Sequence, residues 1–204
     1  MIKFIFKFIL KILLFIIAVG IIVSIPVVVK GYNMYTDALE QVPLEDKVSE
    51  IQSKSDYISL TDLPSEFTYA LLESEDSRFY EHSGVDIVSI GRAIWIDIKT
   101  MSFAEGGSTI TQQLAKNMYF EFDKKLSRKV ADALMAREIE KHYDKNEILE
   151  LYINSIYFGE GCYGISAASR YYYGVAPSDL TQEQQAALIK TIKAPSVYNP
   201  AVNG

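Results

Sequence analysis

Residues 71–86 read LLESEDSRFYEHSGVD, and they set an acid among apolar neighbours. Pro64 and Ser65 open a helix that leads into this stretch, with Phe67, Ala70, Leu71 and Leu72 as its apolar residues. On a 3.6-residue period Glu75 falls three and four residues past Leu72 and Leu71, and four before Phe79. A carboxylate on such a face is costly unless it is paired or wet. His82 and Gly84 follow where the helix should break. Two readings of Glu75 stand side by side here. It forms a surface ion pair with Arg78, leaving His82 a polar turn residue, or it is a perturbed acid with a functional role.

Toward the carboxyl terminus, most segments read as helices. Residues 86–100 place Ile87, Ile90, Ile94 and Ile98 on one stripe, which predicts a core face. Residues 105–117, EGGSTITQQLAKN, begin with Gly106 and Gly107, and Ser108 is positioned to cap a helix starting at Thr109. Ile110, Leu114 and Met118 form its apolar stripe, leaving Thr109, Gln112, Gln113, Lys116 and Asn117 on the other side. A glycine-rich entry to a basic, amide-rich helix can hold an anion such as phosphate at its amino terminus. A capped amphipathic helix with a solvated polar face explains the pattern equally well.

A long helix is expected over 123–143, with Leu126, Val130, Ala133 and Leu134 turned inward and Arg128 and Asp132 as an i, i+4 pair. Asp144 with Glu147, and Thr181 with Gln184, have capping-box spacing. The first of these helices ends near Asn154. Residues 162–173 form a Tyr-rich helix that Gly174 terminates, and Pro195 and Pro200 predict an extended tail.

Toward the amino terminus, residues 12–29 form an uncharged apolar run of 18, about the length that spans a bilayer core. Lys3, Lys7 and Lys11 precede it and only Lys30 closes it, which predicts a cytoplasmic amino terminus. A cleaved signal peptide is the rival reading, since Ala18-Val19-Gly20 faintly resembles a cleavage site; the apolar run continuing past it favours an uncleaved anchor. The predicted divisions are a basic tail over 1–11, an anchor over 12–29, a juxtamembrane stalk over 30–59 and one folded domain over 60–204. The 204 residues carry a net charge of −6. With +4 in residues 1–30, the remainder carries −10, which argues against nucleic acid as a partner. Cys162 is the single cysteine, excluding an intramolecular disulfide. With only His82 and His142 beside it, the chain has no Cys/His zinc pattern.

Taken together and in order, EDSRFYEHSGVD, GGSTITQQLAKN, RKVADALMAREIEK, KNEILELYINSIYFG and KAPSVYNP resemble the motif set of the peptidoglycan glycosyltransferase (transglycosylase) family. This is the membrane-bound glycan polymerase found alone or fused to penicillin-binding transpeptidases. The resemblance implies a mainly α, two-lobed, lysozyme-like domain behind one transmembrane helix. It implies inverting transfer from a polyprenyl-pyrophosphate-linked glycan strand to lipid II at a plasma membrane, outside the cytoplasm, with transpeptidases as partners.

The resemblance assigns Glu75 as general base and Asp132 as second acid. It implies substrate contacts from Asp76, Phe79, Ser108, Thr109, Gln112, Gln113, Asn117 and Asn154, and from the cationic Lys116, Arg128 and Lys129 around the pyrophosphate. His82 falls on a positioning residue. A divalent cation, Mg²⁺ or Mn²⁺, assists in some family members, and no organic cofactor is implied. Asp132 departs from the family's Glu and is one methylene shorter, and Ala131 replaces a residue often basic in relatives. The end at Gly204, with no transpeptidase following, implies a monofunctional enzyme. Two other readings remain: a lytic transglycosylase or lysozyme, which needs no basic pyrophosphate site or anchor, and a scaffold that binds lipid II without turning it over.

Overall fold

The computed structural model describes residues 2–101, 106–120 and 125–203. Glu105 and residues 123–124, expected in the glycine-rich loop and at the head of the basic helix, lie outside that set. Among the described residues the architecture is helical, with isolated β-bridges and no strand. The mainly α expectation is met.

Helix α1 spans Ile2–Gln41, 40 residues, and at 1.5 Å per residue is about 60 Å long, roughly twice a bilayer's hydrocarbon core. Its most apolar window has a mean hydropathy of 3.2 and no buried residue. One unbroken helix carries the tail, the anchor segment and the first part of the stalk as far as Gln41. Its far end docks on α6 (Leu126–His142). Gly31 makes this possible: a Cβ there would lie 2.5 Å from Val130 Cβ. Tyr35 adds a hydrogen bond from its hydroxyl to Glu138 Oε2 at 3.2 Å.

Helix α2, Leu44–Gln52, buries Leu44, Val48 and Ile51 in the main core. Those spacings of four and three are a helical period within the segment expected to be stalk, so the folded domain begins near residue 44 rather than 60. Helices α3 (Ser65–Glu75), α4 (Ile87–Thr100), α5 (Ile110–Ala115), α7 (Lys145–Ile153), α8 (Ile165–Tyr173) and α9 (Gln182–Lys193) follow. Short helices α10 (Pro195–Tyr198) and α11 (Pro200–Asn203) replace the expected extended tail, each proline starting a helical turn. Both predicted capping boxes form, and Gly174 ends α8 in the left-handed region.

Helix α5 lies inside the domain, packed against α6 and α7, with Ile110, Leu114 and Ala115 fully buried. From α6 come Ala131, Met135, Ala136 and Ile139, so its inward face is not the one expected. Leu126 is 67% exposed. Val130 is taken by α1, while Ala133 and Leu134 line a groove against α4.

The α4 stripe is also corrected. Ile87, Ile94 and Ile98 are 80%, 55% and 68% exposed, Trp95 is 68% exposed, and Ala93 is the buried residue of this helix. The apolar period is present, but the domain places little against most of it.

Candidate active site

Helix α3 stops at Glu75 because Asp76 leaves helical geometry (φ −162°, ψ 74°). The Asp76 carboxylate is held between two later segments. His82 Nε2 lies 3.0 Å from both its oxygens, and Ile110 N donates to Oδ2 at 3.0 Å. The helix therefore ends well before His82, and Phe79 sits in a separate 3-10 turn, Phe79–Glu81, instead of sharing a helical face with Glu75. Arg78 is committed to Asp86 at 3.0 Å and Glu81 at 3.1 Å. Glu75 instead accepts a hydrogen bond on Oε2 from Gln113 Nε2 at 3.1 Å. The Arg78 ion pair reading is thus replaced.

The helix behind the glycine-rich entry is capped by Thr109, not Ser108. Thr109 Oγ1 accepts from Gln112 N at 3.1 Å, and Gln112 Oε1 accepts from Thr109 N at 3.0 Å. The Thr109 hydroxyl also donates to Gly84 O at 2.6 Å, and the residue is 1% exposed. Gly84 has φ +78°, and a Cβ there would lie 3.0 Å from the Ala136 backbone, so glycine is required at this crossing. The carboxylate at the start of α5 is the protein's own Asp76, which corrects the expectation of a phosphate there. Past Ala115 the chain widens into a π-turn, Lys116–Phe120. Lys116 stays beside Gln112 and Gln113, while Asn117 turns to a different wall with Lys47, Lys54 and Ser155.

A cleft of about 500 Å³ results, lined by Ser74, Glu75, Gly106, Ser108, Gln112, Gln113, Lys116, Arg128, Lys129, Asp132, Ile192 and Lys193. It gathers eight of the candidate catalytic and substrate-contact residues, Glu75, Asp132, Ser108, Gln112, Gln113, Lys116, Arg128 and Lys129, together with Gly106 of the glycine-rich entry. Others support it from behind. Asp76 and Thr109 tie segments together, and Phe79 is 1% exposed with Lys145 Nζ 4.3 Å from its ring centroid. His82 borders a neighbouring groove, its Nδ1 buried without a hydrogen-bond partner among the described residues. Asn154 pins residue 58 to α7: Ile58 N donates to its Oδ1 at 3.0 Å, and its Nδ2 donates to Ile58 O at 2.8 Å. Ser74, Ile192 and Lys193 were missed. Packing of α3 on α9 brings Lys193 to the cleft. Its signal was its place at the head of KAPSVYNP.

Asp132 is 7% exposed, and burial pushes its carboxyl up to about 6 even though Arg128, Lys116 and Lys129 pull it down. Arg128 Nε lies 3.5 Å from Asp132 Oδ2, an ion pair too long for a good hydrogen bond, and Asp132 Oδ1 has no hydrogen-bond partner among the described residues. The expected surface salt bridge is therefore a buried wall of the cleft. Lys116, Arg128, Lys129 and Lys193 outnumber Glu75 and Asp132. Among the described residues this donor set suits an anion, and its carboxylates, Glu75 and Asp132, are too few to cage a divalent cation.

A second, apolar groove of about 860 Å³ shares Ser108, Gln112 and Lys129 with the cleft. Its walls include Ile87, Ile90 and Ile94 of α4, facing Val130, Ala133 and Leu134 of α6.

Known proteins are similar to this chain in sequence. Penicillin-binding protein 1F of Bacillus subtilis is 43% identical over 159 residues, 78% of this chain and 22% of that protein. Penicillin-binding protein 1A of Pseudomonas aeruginosa is 45% identical over 146 residues, 72% of this chain and 18% of that protein. A monofunctional glycosyltransferase of Staphylococcus aureus is 38% identical over 161 residues, 76% of this chain and 60% of that protein. The chain thus spans about a fifth of the length of these two penicillin-binding proteins. The transglycosylase family model matches residues 44–204, which begins at α2 and takes in the whole cleft, and the chain belongs to the transglycosylase family.

Proposed function

We propose that this chain is a membrane-anchored peptidoglycan glycosyltransferase that polymerises lipid II, with inversion at the anomeric carbon and release of polyprenyl pyrophosphate. The observation that carries the reading is one carboxylate, Glu75, facing a cleft with four cations. Glu75 takes the proton of the acceptor's 4-hydroxyl as that oxygen bonds to the donor's anomeric carbon. The bond from that carbon to the pyrophosphate oxygen breaks, and its electron pair leaves with the pyrophosphate. Lys116, Arg128, Lys129 and Lys193 stabilise the charge that develops there. Asp132 pairs loosely with Arg128 from the cleft wall, at 3.5 Å.

Both substrates are lipid-linked, and two features support a site at the bilayer surface. Helix α1 is long and apolar enough to span, with its amino terminus cytoplasmic by the lysine asymmetry. Val130 of α6 touches α1 at Gly31 and also borders the groove under α4, so the exposed apolar face of α4 lies near the anchor. Penicillin-binding transpeptidases are the partners proposed to cross-link the product.

The test is polymerisation of purified lipid II by the full-length protein in detergent, resolved on a gel beside Glu75→Gln and a moenomycin control. Long glycan from the unmodified protein, lost in both controls, supports the reading. Lipid II binding without polymer would replace it with a scaffold, and release of fragments from preformed glycan with a lytic enzyme.

A further inference from the structure

Tyr152 is fully buried, yet it carries a hydroxyl into the core. A buried phenol needs a partner, and this one donates to Gln113 Oε1 at 2.9 Å. Gln113 then donates from Nε2 to Glu75 Oε2 at 3.1 Å. The phenol stays protonated, because burial first, and then the charges of Glu75 and Asp76, push its pKa well above the ordinary value. We propose that Tyr152 and Gln113 are positioning residues that fix the polarity of Glu75's environment. The inference rests on Glu75 being the base.

A free glutamine amide can turn either its NH₂ or its carbonyl toward a carboxyl group. The pair of contacts settles that choice while Glu75 is ionised: the carboxylate can only accept, so it takes the NH₂ end, and the Tyr152 hydroxyl donates to the carbonyl end. The NH₂ end therefore faces Glu75 in the ionised state in which it acts as a base. Oε2 is thereby held as an acceptor, and among the described residues Oε1 has only a 3.4 Å contact from Ser74 Oγ. Oε1 is the oxygen left to receive the acceptor's proton. The link reaches from α7 through α5 to the end of α3, three elements joined only by folding.

Two measurements on the full-length protein test this. The first is a kinetic cycle of Tyr152→Phe, Gln113→Leu and the double variant. Tyr152→Phe is expected to lower kcat about tenfold with KM changed less than twofold. Gln113→Leu is expected to lose more, and the double variant to match Gln113→Leu, because Tyr152 acts only through Gln113. Multiplying losses, or an unchanged kcat in Tyr152→Phe, overturns the proposal.

The second measurement needs no turnover: hydrogen exchange of the Gln113 side-chain amide by NMR. Protection is expected in the unmodified protein and at least a tenfold loss of it in Tyr152→Phe. Equal exchange in both overturns the relay. Relay protection alongside full activity in Glu75→Gln would instead overturn Glu75 as base.

Discussion

Arg128 and Asp132 stand one helical turn apart on α6, with Nε and Oδ2 3.5 Å apart and the Asp132 side chain 10% exposed. A carboxylate this buried and this loosely paired costs the folded state free energy.

The cost has a pH signature. The carboxyl titrates near 6 when folded, against an ordinary 3.8, so the folded chain binds the extra proton between those values and stability falls as pH rises through roughly 4 to 6. The shift corresponds to roughly 2–3 kcal/mol. Asp132→Asn is expected to raise the denaturant midpoint at pH 7 and to converge with the unmodified protein near pH 4. Parallel curves across that window would show that Asp132 is not the group responsible.

The same gap bears on rate. Asp132→Glu lengthens the side chain by about 1 Å, enough to bring the acid within hydrogen-bonding distance of Arg128 Nε, and misplacement by 1 Å can cost roughly a hundredfold. Lipid II polymerisation is expected to rise at least about fivefold. An unchanged rate would show that the reach of this acid is not limiting.

Gly31 against Val130 fixes how α1 meets the domain. Gly31→Leu is expected to cost roughly 1–3 kcal/mol by forcing the helices apart, read as a lower Tm in detergent. Gly20, with nothing within 4 Å of its would-be Cβ, is the control. Equal effects of Gly31→Leu and Gly20→Leu would argue against a fixed dock.

Trp95 is the chain's single tryptophan and sits on the exposed face of α4. Its fluorescence therefore reports on that face alone. In vesicles, brominated acyl chains are expected to quench it by more than about half. Emission unaffected by bromination would place α4 in water and away from the bilayer.

Much of this was legible in advance. The capping boxes at Asp144 and Thr181 and the stop at Gly174 depend on residues a few positions apart, and all formed where local chemistry put them. The period of α4 was equally plain. Its burial was not, because a hydrophobic stripe records a face and not what covers it. Similarly, α6 turned Met135 and Ile139 inward instead of Val130 and Leu134, since α1 and α4 compete for the other side.

By itself the sequence determined a helical chain with a long apolar amino-terminal segment, an acid at Glu75 and a basic, amide-rich segment over 106–117. Tertiary structure alone decided that Glu75 faces Gln113 and not Arg78, that Lys193 joins Lys116 and Arg128, and that Asn117 and Asn154 turn elsewhere. The reason is physical. Caps and periods are local interactions, whereas Glu75, Gln113, Tyr152 and Lys193 sit on four separate helices whose meeting depends on how a shared core packs.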